Sequence, residues 1–342
     1  MQRRGFAPLT VACCGMAALL SLANPVLAKN KIVTFKVRGA GTTYSYFIDS
    51  NADAAGVWLD KFGSDHGFVR TSDGTMTKFD GPKACQTFVG GMNESGLVVG
   101  SYMSGQGCGD QHGYLRTLDG TLTTYDAPGS NHVTSIDAIN GAGDFAGQYW
   151  DADGNRLGYM QPANGAFVSI AIDGAFDVEP RSINSSDVIV GSWNDNSFVL
   201  HGFVRDSDGT VVTFDPEDSS RTYVYSINTN GTAVGRYFGS DSKYHGFSRD
   251  KNGTITTIDE PDAHAGTYVE SINDKGSIVG FYGDTNGVDH GFTLSRKGQF
   301  KSFDVHHAKQ STFAFAINNE SFITGNYATG QTTSAGFLSV PK

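Results

Sequence analysis

The chain has 342 residues, 44 of them glycine, with 12% aromatics and a formal net charge of −10. An acidic chain without a basic stretch argues against a nucleic-acid binder or a protein drawn to anionic membranes, since both need clustered cations. Nothing beyond the first 30 residues stays apolar long enough to cross a bilayer as a helix.

At the N-terminus, Arg3 and Arg4 precede an apolar run from Val11 to Ala23 and then Val26-Leu27-Ala28. A positive segment, an apolar core and a small-residue site form the pattern of a secretory signal. Cleavage is expected after Ala28, with residues 29–342 forming one domain in a secreted or periplasmic location. Cys13 and Cys14 lie inside the apolar run and fit a lipoprotein signal poorly.

Next comes a single β-type run, IVTFK at 32–36, and after it a unit that recurs to the end of the chain. Its clearest copy, 267–304, holds four short runs separated by Asn, Asp, Gly and Lys: a (TYVESIN), b (SIVGFY), c (HGFTL) and d (FKSFD). Run a ends in Ile48-Asp49, Met92-Asn93, Ile139-Asn140, Ile183-Asn184, Ile227-Asn228, Ile272-Asn273 and Ile317-Asn318, which number the repeats one to seven. A period of about 45 residues suits a four-stranded propeller blade. Alternation of period two and the glycine content exclude a helical solenoid.

The seventh copy stops at Gly336-Phe337-Leu338 and lacks run d. Residues 32–49 align without a gap to 211–228, with Val33, Thr34 and Phe35 matching Val212, Thr213 and Phe214. The fold expected is therefore all-β: a seven-bladed β-propeller of four-stranded antiparallel blades, its ring closed by the N-terminal strand pairing with the C-terminal three. Closure leaves no open sheet edge.

Run c opens with His66, His112, His201, His245 and His290, and run d closes with Asp80, Asp126, Asp215, Asp259 and Asp304, each 14 residues on. A tight hairpin sets the two opposite each other, so they read as cross-strand hydrogen bonds. Repeat seven loses both partners together, with Ala335 and Lys36 in their places. Five histidines on separate blades are too far apart to share one metal ion. Aromatics follow the run-b glycine at Trp58, Tyr102, Tyr149, Trp193, Tyr237, Tyr282 and Tyr327. They read as packing between blades, or as platforms for sugar rings. The run-a asparagines read as bonded to their own a–b turns.

HGF or HGY, then GT-x-T ending in Asp, then S-I-N-x-x-G-x-x-V-G-x-Y resembles the bacterial extracellular HAF-repeat proteins, over essentially all of the mature chain. The resemblance implies an exported repeat protein and no particular catalytic residues.

In an up-and-down blade the d–a and b–c loops share one end, and these loops vary most. Repeat three deviates furthest. Leu157 stands where a histidine is expected, leaving Asp173 without its partner, and its b–c loop reads Trp150-Asp151-Ala152-Asp153-Gly154-Asn155. Trp150, Asp151, Asp153, Asn155, Asp173 and Trp193 are the candidate ligand-binding residues. Oxygens at 151, 153 and 155 alternate as in a Ca²⁺ loop, but no glutamate closes it and ordinary turn chemistry gives the same pattern; no cofactor is otherwise indicated. No nucleophile or phosphate-loop motif occurs. His132, His264, His306 and His307 lie in variable loops where acid–base roles are open. Cys85 and Cys108 are the cysteines left after cleavage, in loops at the same end of one repeat, and are expected to form a disulfide in an oxidising compartment. The function expected is a scaffold binding an extracellular carbohydrate or protein through the d–a/b–c face. The alternatives are a hydrolase or lyase acting on an extracellular polymer, or a structural surface protein.

Overall fold

The computed structural model describes residues 31–305 and 311–341. The expected signal segment, with Cys13 and Cys14, and also His306 and His307 lie outside the described residues. The β-branched and aromatic runs form strands as their alternation requires. In repeat four these are Ala175–Ile183, Ile189–Asp195, Leu200–Arg205 and Val211–Phe214, antiparallel in that order.

The described strands make three four-stranded and two eight-stranded sheets. Each eight-stranded sheet consists of two antiparallel halves meeting at one parallel bridge, Arg156 opposite Asp177 or Tyr244 opposite Gly266. One four-stranded sheet joins the two ends of the chain. Lys31–Phe35 pairs with Ser334–Val340, Lys31 opposite Val340 and Phe35 opposite Gly336, and Ile323–Ala328 and Thr312–Ile317 follow.

The core lies between successive sheets. The aromatic after the run-c glycine is fully buried in every repeat: Phe68, Tyr114, Tyr159, Phe203, Phe247, Phe292 and Phe337. Each such side chain contributes about 2–3 kcal/mol by leaving water. Several meet an aromatic from run d of the preceding repeat. Phe79 lies 5.9 Å from Tyr114, Phe303 lies 5.9 Å from Phe337, and the leading-strand Phe35 lies 6.2 Å from Phe68 of repeat one.

The run-b glycine has a steric cause. At Gly191 a Cβ would stand 2.0 Å from the Glu179 carbonyl oxygen, and at Gly280 1.9 Å from that of Tyr268. Here run a bulges: the pairing skips Tyr46, Gly90, Arg181, Tyr225, Glu270 and Phe315 in their repeats. A bulge re-aims the side chain it carries.

The run-a asparagines do more than brace their turns. Asn93 Oδ1 accepts from the Ser95 and Leu97 amides, as expected, while its Nδ2 donates to the Asn140 carbonyl of the next repeat. The same step runs from Asn140 to Asn184, Asn184 to Asn228, Asn228 to Asn273 and Asn273 to Asn318, and from Asn318 back to Asp49. Asp49 is the exception. Its Oδ1 accepts from Asn51 and Asp53, but Oδ2, buried and facing the repeat-two turn near Gly96, has no partner.

A disulfide joins Cys85 to Cys108 across a Cα separation of 6.3 Å. No helix among the described residues is long and apolar enough to cross a membrane.

Candidate functional site

The chemistry concentrates on two positions of run a, the bulged residue and the residue two before it. In repeats five, six, seven and one they are Tyr223/Tyr225, Tyr268/Glu270, Phe313/Phe315 and Tyr44/Tyr46; in three and four they are Ser135/Asp137 and Glu179/Arg181. The aromatic residues form a continuous belt. Tyr44 lies 5.9 Å from Tyr46, Tyr46 5.3 Å from Phe315, Phe281 6.1 Å from Phe315, and Tyr268 4.6 Å from Phe281. Tyr244 continues it, 5.1 Å from Tyr268 and 6.2 Å from Tyr223. Arg236 sits among Tyr223, Tyr225, Tyr244 and Tyr268, 5.0–5.5 Å from each ring, and its Nη1 donates to Glu270 at 2.8 Å.

Two clefts open along this belt at the d–a/b–c end. One, about 500 Å³, has aromatic walls from Tyr44, Tyr46, Phe281, Phe313 and Phe315, with Asn326 and the polar loop Gln331–Ser334 at its rim. The other, about 470 Å³, is charged: Glu179, Arg181 and Arg221 line it with Asn194, Tyr225 and Phe198. Arg181 Nη2 donates to Glu179 Oε2 at 2.5 Å. Burial pushes the Asp137 carboxyl up to about 6, against the pull of Arg181 and a hydrogen bond from Ser135. Burial likewise raises Glu270 to about 7, against Arg236. Neither carboxyl lines a cleft: Glu270 sits behind the belt on Arg236, and Asp137 is buried near Arg181.

The sequence candidates separate. Trp150 is 37% exposed with the Arg156 guanidinium 4.7 Å over its ring. Asp151 is absorbed by its own turn: Oδ1 accepts from the Asp153 and Asn155 amides and Oδ2 from Asn155 Nδ2. Asn155 is spent on the same turn, and Asp153 and Asp173 stand in exposed turns. Among the described residues no group of three or more His, Cys, Asp or Glu is placed to hold a metal ion. Trp193 stacks on His201 at 4.7 Å, away from Trp150.

The histidine–aspartate reading corresponds to real bonds. Nδ1 of His66, His112, His201, His245 and His290 donates to Asp80, Asp126, Asp215, Asp259 and Asp304 at 2.6–3.0 Å. The run-b aromatic stacks on the same ring, as Trp58 does on His66 and Tyr237 on His245. A second carboxylate approaches Nε2 in four repeats, from Asp60, Asp195, Asp241 and Asp284. These clamps are half exposed, with His201 and Asp215 at 23% and 37%. Their contribution therefore belongs to the surface range, below the 1–3 kcal/mol that a buried pair would give. Of the loop histidines, His132 Nδ1 lies 3.7 Å from Asp110 Oδ1, and His264 Nδ1 donates to its neighbour's carbonyl at Asp262.

The belt and the Asp137–Arg181 cluster escaped the sequence reading. Their signal was variation inside run a, where two columns change chemistry while the residues around them stay constant.

No protein-family model matches the sequence, and no curated protein matches it. Among solved structures the chain is similar to a streptogramin B lyase (TM-score 0.59, 11% identity, covering 92% of this chain and 98% of that one). It is also similar to the virginiamycin B lyase from Staphylococcus aureus (0.57, 13%, 91% and 99%). A third is the β-propeller domain of the Trilobed protease from Pyrococcus furiosus (0.60, 10%, 88% and 96%). At these identities the likeness shows a shared β-propeller fold and carries nothing about activity.

Proposed function

We propose that the chain is an exported, closed seven-bladed propeller of the HAF-repeat type whose d–a/b–c mouth binds a carbohydrate. The return of the asparagine circle to Asp49 and the pairing of Lys31–Phe35 with the last sheet support closure. The disulfide fits an oxidising compartment. One observation carries the ligand class: the aromatic belt borders polar rims, Asn326 and Gln331–Ser334 on one side and Asn194 and Arg221 on the other. Sugar rings have apolar faces and hydroxyl edges, which is the complement of that lining. The test is a glycan array with the purified protein, repeated with Tyr46→Ala and Phe315→Ala. Binding of a glycan class that both substitutions weaken about tenfold supports the reading. Binding of no glycan by the wild type overturns it.

A second reading, cleavage of a bound polymer, rests on Asp137 and Glu270. What supports it is that burial raises these carboxyls to about 6 and about 7, beside Arg181 and Arg236 respectively, which brings their titration toward neutral pH. Release of shortened products that Asp137→Asn abolishes, with binding retained, would select it over pure binding.

A further inference from the structure

The b–c hairpin of repeat four breaks a local rule. In repeats one, three and six the turn closes through the amide of Gly63, Gly154 or Gly287, donated to Asp60, Asp151 or Asp284, with the glycine at φ 86°, 83° and 75°. Repeat five closes the equivalent turn through the small Ser242 at φ 66°, but in repeat four the bond, to Asp195, comes from the bulky Phe198 at φ 60°. Among the described residues it is the one Phe, Tyr or Trp with positive φ. A bulky side chain in the left-handed region is strained, and such strain persists where the surroundings or a function require it. The surroundings do not require it here: Phe198 is 66% exposed and meets one ring edge, Phe176 at 5.1 Å.

Phe176 is itself 43% exposed, and Arg156 spans the gap to Trp150, 5.5 Å from the Phe176 ring and 4.7 Å from the Trp150 ring. Phe198 is also a wall of the charged cleft. A row of open rings therefore begins at the cleft and leads outward across repeats four and three.

We propose that Phe198, Phe176 and Trp150 form an external platform for a polysaccharide chain leaving the cleft, so that the site takes a polymer in preference to a short sugar. This rests on the carbohydrate reading above. Continuity is the argument: Phe198 walls the cleft, its ring edge meets Phe176 at 5.1 Å, and Arg156 bridges Phe176 to Trp150. Sugar faces stack on exposed aromatic rings, and the Arg156 guanidinium between them can donate to hydroxyls.

The experiment compares wild type, Phe198→Gly and Phe176→Ala, using a polysaccharide identified on the array and its own disaccharide and trisaccharide fragments. Phe198→Gly relaxes the turn, so its melting temperature should rise by a few degrees; because Phe198 also walls the cleft, fragment affinity should fall somewhat and polymer affinity further. Phe176→Ala, which leaves the hairpin backbone and the cleft wall alone, should lower polymer affinity about tenfold and leave fragment affinity unchanged. Unchanged polymer affinity in both variants overturns the platform and leaves the cleft reading intact. Equal loss for polymer and fragments assigns Phe198 to the cleft alone and also overturns the platform. A wild type that binds no glycan sinks both proposals.

Discussion

At the end formed by the a–b turns, six asparagines occupy equivalent places and make the same bonds to their own turn and to the next repeat. At the opposite end the loops vary more. One carries a disulfide, four share a tight aspartate turn of which one holds a strained phenylalanine, and two clefts open there. The first end repeats a buried, satisfied hydrogen bond, the kind of group whose loss is expensive. The second end places few demands on its loops and is free to vary around a fixed rim. The repeated bonds and the variable loops are thus divided between the two ends of the same strands.

The largest effect expected is that of removing residues 31–36. The last sheet loses a strand, Phe35 leaves Phe68, and two edges are exposed; cooperative unfolding should disappear and the protein should aggregate on a sizing column. A melting temperature equal to wild type would contradict the joining of the chain ends. Next, Cys85→Ser/Cys108→Ser should lower unfolding free energy by about 3 kcal/mol by chain entropy, showing that the variable end relies on a covalent brace. At the uniform end, Asn184→Ala leaves the Ser186 and Val188 amides without partners and the Asn228 carbonyl with the Gly231 amide alone. A loss of about 2 kcal/mol is expected in urea unfolding, whereas Asp153→Ala at the other end should stay within about 0.5 kcal/mol. Equal effects would erase the difference between the two ends.

Asp49→Asn sharpens the comparison by completing the circle, and should gain about 1 kcal/mol at neutral pH. Burial raises the Asp49 carboxyl, so the native state prefers it protonated. The wild type is then at no disadvantage below the unfolded carboxylate value and loses stability as pH rises through the native one. The gain from asparagine should grow over that window and level off above it. A pH-independent difference would mean that Asp49 does not titrate in the fold. Smallest of all, His201→Ala should cost about 0.5 kcal/mol and be non-additive with Asp215→Ala. For His290, burial opposes the charged ring but Asp304 and Asp284 outweigh it and raise it. Its clamp should therefore be strongest below the free imidazole range and weaken as pH rises through the native value; a His290→Gln variant should match wild type only in the alkaline limit.

The spacing of His and Asp was legible because a hairpin fixes which residues face each other, whatever surrounds them. The pairing of Cys85 with Cys108 followed likewise from strand count. The asparagines were half legible: Oδ1 bonds within four residues, but Nδ2 reaches a repeat about 45 residues away. Tyr46, Asp137, Arg181 and Glu270 were hidden because a bulge decides where they point, and a bulge has no residue code beyond the glycine opposite it. Phe198 could have been suspected from Asn196-Ser197-Phe198, where the hairpins of repeats one, three and six supply glycine, but only its dihedral turns that absence into strain.

The asparagine circle has a direction. Each of the six asparagines donates to the repeat after it, so the bonds run one way from Asn93 to Asp49, and Asp49 can accept but, ionised, cannot pass the bond on. The missing link of the series therefore lies between the turns of repeats one and two, one repeat away from the sheet in which the first and last described strands pair. Among the described residues the exposed bond from Ser50 Oγ to the Glu94 carbonyl spans that turn-to-turn gap. The strand that fastens the ends is held by a full ladder, from Lys31 opposite Val340 to Phe35 opposite Gly336. The amides of the Asn93–Leu97 turn should therefore exchange with solvent ahead of their counterparts in the other repeats, while the Lys31–Phe35 ladder stays protected.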